Sequence, residues 1–148
     1  MRISVLHISE AKQERWFRAE FDLYIRRLRT YATVELMRLR DESGMLASAA
    51  RQSGRTAPWL VLLDSRGKTL SSEQLAARIG EERDSGRQEI IFAIGPADGW
   101  SATARERADL LLSFGPMTYP HELARVMLAE QLYRAFTILA GHPYHCGH

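Results

Sequence analysis

The last seven residues, HPYHCGH, hold His142, His145, His148, Tyr144 and Cys146, the only cysteine among 148 residues. Imidazole, phenol and thiol groups at that density suit metal ligation, proton transfer or nucleophilic attack. The spacing of His142, His145, Cys146 and His148 matches no closed zinc pattern, and ordering a chain end costs conformational entropy. The tail therefore predicts adventitious metal binding at most, and no resident metal. Cys146 reads as inert, because it sits where chains commonly fray. No Ser-His-Asp order and no nucleophile elbow can be read, and Ser113 lacks the flanking glycines that an elbow needs.

Two loops carry a different chemistry. The apolar run EIIFAI breaks at GPADGWS, and LLLSF breaks at GPMTYPH. The first loop, Gly95 to Gly99, suits a phosphate or nucleotide, but it is neither a G-x-G-x-x-G fingerprint nor a P-loop with its Lys-Ser/Thr pair. A glycine pair four apart is also an ordinary strand-to-helix turn. The second loop, FGPMTYPH, is stiffened by two prolines, Pro116 and Pro120. Rigid loops at neighbouring strand ends can line one pocket.

The elements that must hold these loops follow from periodicity. ISVLHI, TVELMRL, WLVLLD, EIIFAI and LLLSF read as strands, and SRGK as the turn after the third. Phe17, Phe21, Tyr24, Leu28 and Tyr31 mark one face of a first helix, with Arg26, Arg27 and Arg29 at its end. Asp41 to Pro58 is the least patterned stretch and predicts one short helix around Met45–Gln52. Ser71 and Gln74 stand at capping-box spacing before a third helix. Ser101 caps a short one, ATARERAD. The last helix is expected from His121 to Ala140. Of its seventeen residues from Leu123 to Leu139, twelve are apolar, so it needs cover on more than one side. The sheet gives one cover, and a second subunit is the expected other, with Val126, Leu132, Tyr133 and Phe136 buried. Strands alternating with helices predict a parallel α/β sheet with its ligands outside the carboxyl ends of the strands, at Asp64, Gly95–Gly99 and Phe114–Tyr119.

The length suits one domain over residues 1–148, large enough to bury a core. No run reaches the ~18 apolar residues of a membrane span, and the N-terminus turns polar too soon for a signal peptide. A lone cysteine excludes an internal disulfide and fits a reducing cytoplasm. Of the 20 basic residues, only Lys12 and Lys68 are lysine. Residues 1–60 carry eleven basic against seven acidic side chains, and residues 61–148 nine against eleven. Arginine suits paired phosphate contacts, but a GC-rich genome gives the same bias, so charge hints at nucleic acid without establishing it.

LLDSRGKTLSSEQLA, FAIGPADG, MTYPHELARVMLAEQLYRA and GHPYH, taken in order, closely resemble the RlmH family of SPOUT-class methyltransferases acting on large-subunit ribosomal RNA. YIRRLRTYATVEL extends the likeness toward the N-terminus. The resemblance implies an α/β parallel-sheet SPOUT domain with a C-terminal trefoil knot, working as a cytoplasmic homodimer without a membrane partner. It implies S-adenosylmethionine held by Leu63, Gly95 and the loop Phe114, Gly115, Pro116, Met117, Thr118 and Tyr119. The implied reaction is N3-methylation of a pseudouridine in 23S rRNA on the assembled ribosome. The tail would then lie over the active site beside the partner's cofactor loops, with Tyr144 and His145 near the target base. His145 or His121 would take the N3 proton, and Arg125 would meet a phosphate. Arg125 and Arg134 could instead form interface ion pairs, with Glu130 among the partners.

Two positions depart from the family pattern. Gly95-Pro96 stands where Gly-Gly is usual, which removes a backbone donor, and Gly115 stands where serine is commoner. IGPADGWS is similar to the RsmE family, which methylates a small-subunit uridine, but that family has an extra RNA-binding domain and lacks the YRA…GHPYH ending. The other readings are a non-catalytic ribosome-binding factor with the same fold, a methyltransferase acting on another RNA uridine, and a metal-binding protein using the histidine tail. Cys146, Gly147 and His148 extend past the family ending with no implied role.

Overall fold

The computed structural model describes residues 1–9, 17–51 and 55–147. Its elements alternate along the chain: β1 (Arg2–Ile8), α1 (Arg18–Leu28), β2 (Thr33–Leu39), α2 (Glu42–Ala50), β3 (Trp59–Thr69), α3 (Ser72–Asp84), β4 (Glu89–Ile94), α4 (Ala102–Arg107), β5 (Leu110–Ser113) and α5 (His121–Ala140). All pairings are parallel, in the order β2-β1-β4-β3-β5. The continuous apolar runs of β1, β3 and β4 belong to a sheet covered on both faces. On one face, Val5, Val61 and Phe92 pack with Ile25, Ile79, Leu128 and Leu132 of α1, α3 and α5. On the other, Leu6, Leu62 and Ile91 meet Met45 of α2 and Ala104 of α4.

The expected strands and the last helix are present, and four details differ. β3 does not turn at SRGK. It runs on to Thr69, skipping register between Leu63 and Lys68, so that Lys68 and Thr69 pair again with Leu112 and Ser113 of β5. The skipped residues bulge out at the carboxyl end of the sheet. Gly67 makes this closure possible, because a Cβ there would lie 2.4 Å from the Leu111 carbonyl oxygen. α2 begins earlier than expected, with the Asp41 carboxylate accepting from the Gly44 amide at 2.9 Å; Gln52 lies outside the described residues. The buried stripe of α1 is Phe21, Ile25 and Leu28, while Phe17 stands at the helix start with φ 65° and is exposed.

The fourth difference concerns α5. It lies between α1 and α3, so helices of the same chain supply much of the cover expected from a second subunit. Leu132, Tyr133 and Phe136 are buried as expected, whereas Val126 is only half-buried. The Ser71 capping box is formed, with Gln74 Oε1 accepting from the Ser71 amide at 2.8 Å. Ser101 caps α4 through the Ala104 amide at 3.2 Å. No helix among the described residues is long and apolar enough to cross a membrane.

Candidate functional site

Three segments from distant parts of the sequence meet at the carboxyl ends of β3, β4 and β5. They are the β3 bulge from Leu63 to Arg66, the loop Gly95–Trp100, and the loop around Phe114 to Tyr119. Together they line a cavity of about 370 Å³, near the lower end of the ~300–1,000 Å³ range of ligand clefts. Leu63, Gly95, Phe114, Gly115, Met117, Thr118 and Tyr119 all line it; Pro116 is in the same loop.

Local chemistry holds each segment. The Trp100 indole donates to the Leu63 carbonyl at 3.0 Å, tying the glycine loop to the end of β3. Gly95 is required by that indole: a Cβ would come within 2.7 Å of Trp100 Cε2. The loop closes through the Gly99 amide donating to the Pro96 carbonyl at 3.0 Å, with Gly99 at φ 86°. Glu42 at the start of α2 accepts from the Ser101 amide at 2.8 Å and from its hydroxyl at 2.5 Å, anchoring the far end. Ser113 is structural, because its hydroxyl accepts from the Gly115 amide at 3.0 Å. Gly115 has φ 111°, a conformation that serine reaches only with strain.

Arg66 fixes Asp64 through both carboxylate oxygens, at 3.1 Å each, and through its own amide at 2.8 Å. Burial works to raise the Asp64 carboxyl, but the Arg66 hydrogen bonds and the charges of Arg66 and Arg105 outweigh it and hold the group below its ordinary range. The cavity thus combines apolar walls (Leu63, Ile94, Leu112, Phe114) with an ionised carboxylate and polar loop backbone. That donor set fits a molecule with a flat ring, hydroxyls and cationic groups, and S-adenosylmethionine has all three.

A wider groove of about 750 Å³ adjoins this cavity and shares Leu112, Phe114 and Gly115 with it. His145 lines the groove. Gly141 ends α5 in the left-handed conformation, with its own amide and that of His142 donating back to Ile138 and Thr137, and this reversal turns the tail onto α5. The Tyr144 ring packs at 4.6 Å from that of Tyr133, and its hydroxyl donates to Glu130 at 3.0 Å. Burial, then the Glu130 hydrogen bond and charge, push this phenol well above its ordinary value. Tyr144 therefore stays protonated and acts as a donor. His145 Nδ1 lies 3.1 Å from Arg134 Nη1, and Nε2 lies 2.7 Å from Glu73. Arginine can only donate, so Nδ1 accepts and Nε2 carries the proton toward Glu73.

The four sequence-derived catalytic candidates are thus not all in one place. His121 lines the cavity, and His145 lines the neighbouring groove with both ring nitrogens engaged. Tyr144 is held by Glu130. Arg125 is buried beneath neither pocket; its guanidinium sits 4.4 Å over the Phe21 ring and 3.6 Å from Glu122. Arg134 pairs with Glu130 of its own chain at 2.6 Å. Among the described residues no three His, Cys, Asp or Glu side chains gather as a metal site, and His148 lies outside those residues. Sequence reasoning did not single out Trp100 or Arg66. An aromatic directly after a turn glycine was the available signal for Trp100, but it reads equally as core.

A family model described as Predicted SPOUT methyltransferase matches residues 1–145. The Ribosomal RNA large subunit methyltransferase H of Koribacter versatilis (strain Ellin345) is 54% identical over 125 residues, covering 84% of this chain and 85% of that protein. The protein of the same name from Mesorhizobium japonicum is 57% identical over 108 residues, 73% of this chain and 65% of its own length. Among solved structures, the SpoU methyltransferase AviRb from Streptomyces viridochromogenes, in complex with AdoMet, aligns with a TM-score of 0.52 at 12% identity, over 95% of this chain and 58% of that one. A probable methylase family protein from Haemophilus influenzae Rd KW20 aligns with a TM-score of 0.54 at 12% identity, over 97% and 70%. At such identity the likeness is one of fold.

Proposed function

This chain belongs to the SPOUT methyltransferase family, and from that premise we propose that it methylates N3 of a pseudouridine in 23S rRNA on the assembled ribosome. It is an S-adenosylmethionine-dependent rRNA methyltransferase. The finer reading has it acting in the cytoplasm as a homodimer, each chain one SPOUT domain over residues 1–148 with a trefoil knot near its C-terminus. The observation that carries the reading is the convergence of the β3 bulge, the Gly95 loop and the Phe114–Tyr119 loop on one cavity.

S-adenosylmethionine, when bound, supplies an electrophilic methyl group on a sulfonium centre. Leu63, Gly95, Phe114, Gly115, Pro116, Met117, Thr118 and Tyr119 would hold it, with the Trp100 and Ser113 hydrogen bonds keeping the loops in place. Such in-line transfer depends on orientation, and rigid walls supply orientation before the substrate arrives. His121, at the first turn of α5, lines the same cavity and is the residue best placed to take the N3 proton or pass it to water. His145 and Tyr144 act from the tail, next to the partner's loops in the homodimer. In that role the Glu73 and Arg134 contacts orient the His145 ring, and Glu130 fixes the Tyr144 hydroxyl. Arg125 serves the RNA side, from a separate hollow at the ends of β1 and β2.

The test is methyl transfer to ribosomes that lack the modification, followed by mass mapping of the rRNA. The reading expects one methyl group on N3 of a single 23S pseudouridine, and much less transfer to free rRNA. Transfer to a small-subunit uridine, or none at saturating methyl donor, overturns it.

A further inference from the structure

A third hollow of about 290 Å³ opens at the carboxyl ends of β1 and β2, and the methyl-transfer chemistry at the Gly95 loop makes no use of its cavity. Two residues that line it, His7 and Arg125, are more than nine-tenths buried, and among the described residues His7 Nε2 and Arg125 Nε have no hydrogen-bond partner. Leaving a buried polar atom unpaired costs about 1–3 kcal/mol, and in a native fold it points to a ligand or water that completes the pair. The rim combines charge with apolar surface. Arg18 and Arg38 line it, and Arg38 donates to the Ser9 carbonyl and, among the described residues, to no carboxylate. Among the described residues four large hydrophobic side chains are exposed, and two of them, Phe17 (42%) and Leu36 (42%), face this hollow. Phe17 is also the one non-glycine residue with positive φ among those described. Strain of that kind persists where surrounding structure holds a residue in place for use.

The charges around His7 are mixed. Asp22 and Glu122 also line the hollow, facing Arg18 at 3.8 Å and Arg125 at 3.6 Å. Burial first, then the charges of Arg125, Arg38 and His121, lower His7 to about 4, so it meets a ligand as a neutral imidazole. The hollow and the methyl-donor cavity flank the same helix start: His121 and Ala124 line one, Glu122 and Arg125 the other. β1 and β4 are neighbours, with His7 in register with Ile94 of the cavity wall.

We propose that this hollow binds one unpaired nucleotide of the RNA substrate, adjacent to the nucleotide that is methylated. Its phosphate lies on Arg18 and Arg38, its base lies against Phe17 and Leu36, and the polar edge of the base faces the His7 and Arg125 side chains. Arginine forks match phosphate oxygens, and a basic rim interleaved with aromatic surface is the common platform for single strands. The identity of the strand rests on the RNA-methyltransferase reading, whereas the existence of the subsite does not.

The probe is a fluorescent single-stranded RNA of about twelve nucleotides, titrated at several salt concentrations. It is tested against the unaltered protein, Arg38→Glu and Phe17→Ala, with S-adenosylmethionine affinity by calorimetry as the check on folding. Arg38→Glu is expected to weaken RNA binding roughly tenfold and to make the salt slope shallower by about 0.7 for each phosphate that is no longer neutralised. Phe17→Ala is expected to weaken it roughly tenfold with the slope unchanged, the scale of one base stack. Both should bind the methyl donor as before; if Phe17→Ala does not, Leu36→Ala on the edge strand takes its place. RNA affinity equal to that of the unaltered protein in both variants overturns the proposal, and so does failure of the unaltered protein to bind the RNA. Loss of ribosome binding with oligonucleotide binding intact also overturns it, in favour of a ribosomal-protein contact. RNA binding that depends on Arg38 in a protein that transfers no methyl group would keep the subsite and remove the methylation reading.

Discussion

One added carbon at Gly95 meets the Trp100 indole, and a branched side chain meets it more severely. Gly95→Val is therefore expected to push Trp100 from its bond to the Leu63 carbonyl and to distort the cavity from within. The expected outcome is a loss of about 1–3 kcal/mol in stability, the scale of overpacking, with the far-ultraviolet circular dichroism kept and S-adenosylmethionine binding lost. Near-normal affinity in calorimetry would mean that the cavity tolerates the shift. The family resemblance assigned this glycine to holding S-adenosylmethionine; the structure gives it a second task, making room for an indole. His7 yields a pH prediction. Its value falls from 6.5 to about 4 on folding, so between those pH values the unfolded chain binds more protons than the folded one. Stability therefore rises with pH through that window, is fully present above about 6.5, and is lost as pH falls toward 4. The contribution is on the order of 3 kcal/mol. Urea denaturation across the window should show the slope, and His7→Gln should flatten it; an unchanged slope would show that His7 is protonated in the fold.

Among the elements, the tail departs furthest from its sequence reading. In the sequence HPYH reads as a chain end, where order costs conformational entropy. In the fold it is held by the Tyr133–Tyr144 ring contact, the Tyr144–Glu130 hydrogen bond and the His145–Glu73 pair. A chain ending at His142 keeps the amide that closes α5 but loses all three. It is expected to fold, with a stability loss of about 1–3 kcal/mol by denaturant titration, and to methylate at least a hundredfold more slowly. Full activity in that chain would make the tail a structural strap only. The contacts were not legible because Tyr133 meets the tail only through the reversal at Gly141, and Glu73 only once α3 and α5 lie side by side. β3 was cut short for a related reason. Ser65, Arg66 and Gly67 have little strand preference, and only pairing with β5 beyond the bulge extends the strand to Thr69. What could be read was what repeats locally: the apolar strands, the Ser71 capping box, the span of α5, and two loops that strand order brings to one end of the sheet. The site residues at those loops were named because a parallel sheet offers few places for a ligand. Trp100 and Arg66 were not, because their roles are to hold other residues.

At the scale of the whole molecule, the core accounts for Leu132, which is fully buried against the sheet. A charge there tests folding and says nothing of assembly. Val126 is the better probe, since it is half-buried and lines the groove beside Glu130. Sedimentation at micromolar concentration is expected to give about twice 16.9 kDa. Val126→Glu should shift the protein toward a monomer while its circular dichroism is kept. A monomer that methylates at the normal rate would sink the homodimer. The order β2-β1-β4-β3-β5 also bears on how the chain is made. The strand at the centre of the sheet, Glu89–Ile94, leaves the translating ribosome after both of the strands it must join. Until it arrives, β1 and β3 have no shared neighbour, and each has at least one unpaired edge on an apolar strand. The nascent protein thus passes most of its synthesis as two halves waiting for their keystone, and a chaperone that shields such edges would be of most use before residue 89 emerges.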